Sequence, residues 1–166
     1  MIRLALCILV PVAALLAACG QQPAPGPADR APGPDPAADA AAITAALRGF
    51  PNDFNDRDAD DACALFAPDV VLHHPGAQPV RGRDAVCAGL RERLSDPARS
   101  YHYDPPDIHE VLVDGDLATV AVNWRLTVRD AAGAVIETVE EDGLDVFRRG
   151  PDGTWRIHRS HAFPAG

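Results

Sequence analysis

The chain of 166 residues contains no lysine; its basic side chains are 15 arginines, set against 24 acids for a net charge of −9. An acidic chain with scattered arginines lacks the basic stripe that nucleic acid or an anionic membrane surface requires, so neither is expected as a partner. There is no C-x-x-C and no H-x-x-x-H spacing. His73, His74, His102, His109, His158 and His161 are spread along the chain, which excludes a local zinc motif; no metal and no other cofactor is expected. Glycine-rich phosphate loops and a G-x-S-x-G nucleophile elbow are also missing. The apolar run that opens the chain is too short and wrongly flanked for a stable membrane span.

That run has a different use. "MIRLALCILVPVAALLAAC" carries one early charge, Arg3, then an apolar stretch, then small residues. This is the layout of a secretory signal, residues 1–18. Leu16-Ala17-Ala18-Cys19 resembles a bacterial lipobox, which implies cleavage before Cys19 and lipid on its thiol. Gly20, where an inner-membrane protein would carry Asp, resembles an outer-membrane address in a Gram-negative cell. Residues 19–37 are then the lipidated cysteine and a Pro/Ala/Gly-rich tether that has no core to bury. In polyproline II form it reaches up to about 55 Å. The expectation is an exported protein that touches the membrane through its lipid alone.

Cys7 leaves with the signal and Cys19 takes the lipid, so Cys63 and Cys87 remain. In an oxidising compartment an even pair reads as one disulfide. Two buried thiols acting as small apolar groups are the alternative.

Residues 38–164 form the folded part. Ile43, Leu47, Phe50 and Phe54 recur at helical spacing, with Pro51 expected to kink or interrupt that helix. Asp58 is placed to cap a short helix over "ADDACALF". "DVVLHH" reads as a strand ended by Pro75-Gly76, "PVRG" as a short extended piece, and "RDAVCAGLRERL" as a helix with Val86, Leu90 and Leu94 on one face. From residue 99 onward, long β-rich runs are joined by Asp114-Gly115, "AAG" and "GPDG". That pattern predicts an antiparallel meander. Helices followed by a meander mean an α+β fold, with the helices on one face of the sheet.

The segments "NDFNDRDADDACALFAPDVVLHHPGAQPVRGRDAV" and "GLDVFRRGPDGTWRIHRSHAF", in this order, resemble the nuclear transport factor 2-like superfamily, which includes ketosteroid isomerase-like and SnoaL-like proteins. The resemblance spans residues 40–163. It implies a cone: a strongly bent antiparallel sheet wrapped around the N-terminal helices. It is most similar to a subgroup of bacterial lipoproteins of unknown function, in which paired cysteines in the second and third helices look like a shared trait. The superfamily holds enzymes, ligand binders and association domains, often homodimeric, so the fold alone does not assign an activity.

Neighbours in a strand point to opposite faces, so His73 and His74 cannot both face the cone. Val70 and Leu72 share a face with His74, which places His74 inside and His73 outside. The resemblance puts the isomerases' catalytic base at His74 and a hydrogen-bond-donating acid at Asp145. Histidine suits a base near neutral pH, and an acid kept protonated by an apolar site can donate a hydrogen bond. The isomerases' helix tyrosine falls on Phe50, which has no hydroxyl; Tyr101 or Tyr103 is the candidate replacement. For His74 a pocket-lining, a catalytic and a structural role all remain open, and for Asp145 a pocket role or a paired strand carboxylate. Phe50, Phe54, Leu72, Tyr101, Tyr103, Phe147 and His161 complete the expected pocket. His161 is assigned to the face of Trp155, Ile157 and Phe163, for pocket or dimer-face packing. Trp124 reads as core or interface. Three functions follow: a cone that binds a small, largely apolar molecule, a cofactor-free isomerase, dehydratase or cyclase with His74 as base, or a filled domain used for dimerisation or docking.

Overall fold

The structure is a computed structural model and describes residues 35–165. The expected signal, Cys19 and the tether up to residue 34 lie outside the described residues.

Helix α1 (Pro36–Asn55) begins two residues before the expected boundary at 38. Asp35 caps it by accepting the backbone N–H groups of Ala37 and Ala38 at 3.0 and 3.3 Å. Pro36 fits the first turn, where its missing N–H has no helical partner to lose. Pro51 does not end the helix. The burial of Phe54 one turn later extends the apolar stripe past it, and Asn55 anchors the end. The Asn55 amide donates to the Tyr103 carbonyl and accepts the Tyr103 N–H, both at 2.9 Å. Two specific bonds and a buried ring offset the one backbone bond that proline removes.

Helix α2 (Ala59–Cys63) is capped by Asp58 but is shorter than expected. By Phe66 the chain is already in strand β1 (Phe66–His73). The reason is long-range: Phe66 pairs with Ile157 of the last strand, β7 (Trp155–Pro164). Strand β2 (Val80–Arg81) and helix α3 (Arg83–Ser95) follow. A disulfide joins Cys63 to Cys87 and staples α2 to α3, with a Cα separation of 5.6 Å.

The meander comprises β3 (Arg99–Tyr103), β4 (Asp107–Asp114), β5 (Leu117–Asp130), β6 (Val135–Arg149) and β7. The sheet order is β2-β1-β7-β6-β5. The far edge of β5 is shared, β4 pairing with its first half and β3 with its second. All pairings are antiparallel except β1 with β7, which is parallel. The sheet curls around α1. Ile43 and Leu47 of α1 meet Val120, Val122 and Phe147 of the inner face, all fully buried. Burying each such side chain contributes roughly 1.5–3 kcal/mol.

One irregularity decides which side chains enter the cone. Val146 pairs with Arg159, but Phe147 pairs with Ile157, so His158 is an extra residue in β7. Such a bulge reverses the alternation of the strand beyond it. Ile157 and Ser160 therefore share the inner face, and His161 turns outward.

Candidate active site in the cone

Under the curl of the sheet lies a cavity of about 90 Å³. Its wall is apolar: Phe50 from α1, Leu65 and Phe66 at the start of β1, Leu72 near its end, Trp124 of β5 and Ile157 of β7. Phe50, Tyr103 and Trp124 form a three-ring cluster with centroids 5.6–5.7 Å apart. Gly143 allows this closure. A Cβ there would sit 3.1 Å from Val122 Cγ1 and 3.6 Å from the Trp124 ring.

Five polar side chains line this cavity as well, Glu141 and Ser160 beside the three described next. Asp145, on β6, is 3% exposed. Its cross-strand neighbour is Ser160. Burial raises the Asp145 pKa to about 6, and the Ser160 hydrogen bond opposes that rise. Tyr103 lines the same wall, and burial pushes its pKa up to about 12, with Glu141 adding to the rise. It is therefore a hydrogen-bond donor at any ordinary pH. His74 follows the end of β1 and stands exposed on the rim, beside Leu72. Asp145 takes its hydrogen bond from Ser160 rather than from His74. A buried acid raised to about 6, a phenol raised to about 12 and a rim imidazole are thus brought to one cavity. Among the described residues no three His, Cys, Asp or Glu side chains gather at one point.

The expected pocket residues divide into three groups. Phe50, Leu72, His74, Tyr103 and Asp145 line the cavity. Phe54 and Phe147 lie deeper, in the solid core. Tyr101 is not in the wall; the Arg93 guanidinium sits over its ring at 5.7 Å. His161 is a correction. The bulge at His158 sends it to the outer face, where it stacks on His73. Ser160 and Trp124 were not assigned to the pocket by sequence reasoning, and both line it. The same bulge explains Ser160; the absence of a side chain at Gly143 makes room beside Trp124.

A larger groove of about 920 Å³ lies at the closed end, by the β6–β7 turn. Three of its four guanidinium groups are already engaged, Arg148 with Asp69 at 2.7 Å, Arg156 with Asp152 at 2.8 Å and Arg149 with Asp116 at 3.1 Å; Arg83 is the fourth. The smaller cavity is the better candidate because its buried carboxyl group, Asp145, has no cation beside it.

Several solved structures share this architecture. A ketosteroid isomerase-like protein from Erwinia carotovora atroseptica is 23% identical, with a TM-score of 0.64 over 77% of this chain and 97% of that one. A protein proposed as a dehydratase, from Streptomyces avermitilis, is 23% identical, with a TM-score of 0.59 over 78% and 98%. A proposed calcium/calmodulin-dependent protein kinase type II association domain from Thiobacillus denitrificans is 28% identical, with a TM-score of 0.55 over 74% and 94%. None of the curated proteins compared matches the chain. The family model described as SnoaL-like domain matches residues 47–158. The bent sheet over its N-terminal helices and this match make the chain a member of the SnoaL-like family, with the nuclear transport factor 2-like fold.

Proposed function

We propose that the cone binds a small, largely apolar molecule bearing one hydrogen-bonding group, with Asp145 and His74 as its polar anchors. The observation that carries this reading is Asp145: a buried carboxyl group without a cation, in a mostly apolar cavity that the exposed His74 also lines. Holding an acid there costs stability, and a ligand acceptor would recover that cost. The cavity is well below the roughly 300–1,000 Å³ of sites for drug-sized ligands, so the buried part of the ligand is a fragment of a few heavy atoms. Native mass spectrometry of the full chain, exported to an oxidising compartment, tests this. A bound mass lost on denaturation is expected; a clean apo mass after exposure to a fragment library counts against it.

A second reading, cofactor-free proton transfer with His74 as base, draws on Tyr103. It supplies in the cavity the hydroxyl that Phe50 lacks. His74→Ala separates the two: an enzyme loses turnover and keeps binding, whereas a binder loses affinity alone.

We further infer that two copies pair through the outer face of the sheet. Leu112, Leu144 and Phe163 are 57%, 47% and 50% exposed there. The outward row of β6 runs Glu140, Asp142, Leu144, Val146, Arg148, acidic at one end and basic at the other. A two-fold axis at its apolar centre sets each basic end over the partner's acidic end, so the face is complementary to itself. Export through residues 1–18 and lipidation of Cys19 would place this pair on a tether at the cell envelope, facing the periplasm if the cell is Gram-negative.

A further inference from the structure

The outer face carries a histidine pair that the cone does not use. His73 of β1 and His161 of β7 are register partners in the parallel ladder. Their rings stack with centroids 4.4 Å apart and planes within 4°. Both side chains are half-buried. Leu144, an exposed apolar residue of β6, is the cross-strand neighbour of His161.

The charges around the pair are mostly cationic. Arg81 approaches from β2 and Arg159 from β7, and His74 follows on β1. Burial first, then His161, Arg81 and Arg159, lower the His73 pKa from its ordinary value. The carboxylates of this face are engaged elsewhere. Asp69 is held by Arg148 at 2.7 Å and lies 3.3 Å from His158. On β6, Asp142 accepts from Asn123, which in turn contacts His109 of β4. Helix α3 also packs against β1 and β2, but its Arg83 lines the closed-end groove and its Asp84 lies beside the disulfide.

We propose that the His73–His161 stack makes self-association through this face pH-sensitive: copies pair while both rings are neutral and separate when the stack takes up protons. This rests on the pairing of two copies inferred above. Two neutral imidazoles stack in a dry interface at little cost. A proton on either ring places a cation within 4.4 Å of its neighbour's ring and beside two guanidinium groups, with no carboxylate to compensate. Covering the face with a second copy removes the water that would otherwise screen it. The charged form is then disfavoured more in the dimer than in the monomer, so dissociation takes up protons and acidification favours the monomer.

Sedimentation equilibrium of the full chain at pH 7.5 and 5.5 tests the proposal, alongside the His73→Gln, His161→Gln double variant. The wild type is expected to be dimeric at pH 7.5, with a dissociation constant about tenfold or more higher at pH 5.5, whereas the variant holds one value at both. Circular dichroism of the variant at both pH values confirms that it is folded. A wild-type dimer indifferent to pH, or a variant that keeps the pH response, overturns the switch and leaves the dimer standing. A monomer at pH 7.5 overturns the pairing itself, and the switch with it.

Discussion

Among the described residues two charged side chains are buried, and they sit at opposite ends of the cone under opposite conditions. Asp39 lies at the closed end, in the first turn of α1. It accepts from Arg149 at 2.5 Å and from the Trp155 indole at 3.1 Å, and the Arg149 guanidinium stacks on the Trp155 ring at 4.6 Å. The Arg149 hydrogen bond, against burial, holds its carboxyl below the ordinary value. Asp145 has one hydroxyl partner and no cation, and burial raises it to about 6. A fully partnered carboxylate fastens a helix to a sheet. An under-partnered one is an expense that packing alone does not explain, and such groups gather at functional sites.

The contrast can be broken from the structural side first. Asp39→Ala leaves the Trp155 N–H without its acceptor and Arg149 with only the exposed Asp116, and the melting temperature should fall by about ten degrees or more, the largest effect of this set. Asp145→Asn should act in the opposite direction. The folded pKa lies above the unfolded one, so the native state takes up a proton first as pH falls; the penalty builds as pH rises from about 4 and is complete above about pH 6. A shift of about two units corresponds to at most about 3 kcal/mol, so the variant should gain up to that amount at pH 7.5 and nearly nothing at pH 3.5. Denaturant titrations at the two pH values check this, and ligand binding should be weakened in the same variant.

Smaller changes sharpen the picture. Ser160→Ala removes the one hydrogen bond to the carboxylate and should cost about 1 kcal/mol above pH 6, with less effect below it. A urea titration at pH 7.5 and 5 measures the difference. His74→Ala touches an exposed rim residue, so its stability should stay within about 0.5 kcal/mol of wild type while binding or turnover falls. A loss of stability comparable to that of Asp39→Ala would make His74 a structural residue.

The elements were legible where the signal is local. Turn glycines mark the meander: Gly115, Gly133 and Gly153 all take positive φ. The apolar stripe and Asp58 mark the helices. Paired residues far apart in sequence were not legible. Phe66 becomes strand because of Ile157, and Asp39 is buried because Arg149 and Trp155, more than a hundred residues away, come to meet it. The His158 bulge has no local signature. "TWRIHRSHAF" alternates equally well in either phase, and the one extra residue moves Ser160 in and His161 out. Asp145 and His74 were reached through the resemblance and lie at one cavity; the chemistry there depends on Ser160 and Tyr103, which the bulge and Asn55 position.

The most direct test of the central claim is a ¹³C NMR titration of the Asp145 side-chain carboxyl in the folded protein. A midpoint near 6 means the cone holds an acid out of water for a ligand. A midpoint near 4 means that Asp145 is hydrated, and a lower one that it is paired like Asp39; in either case the distinction between the two ends of the molecule fails.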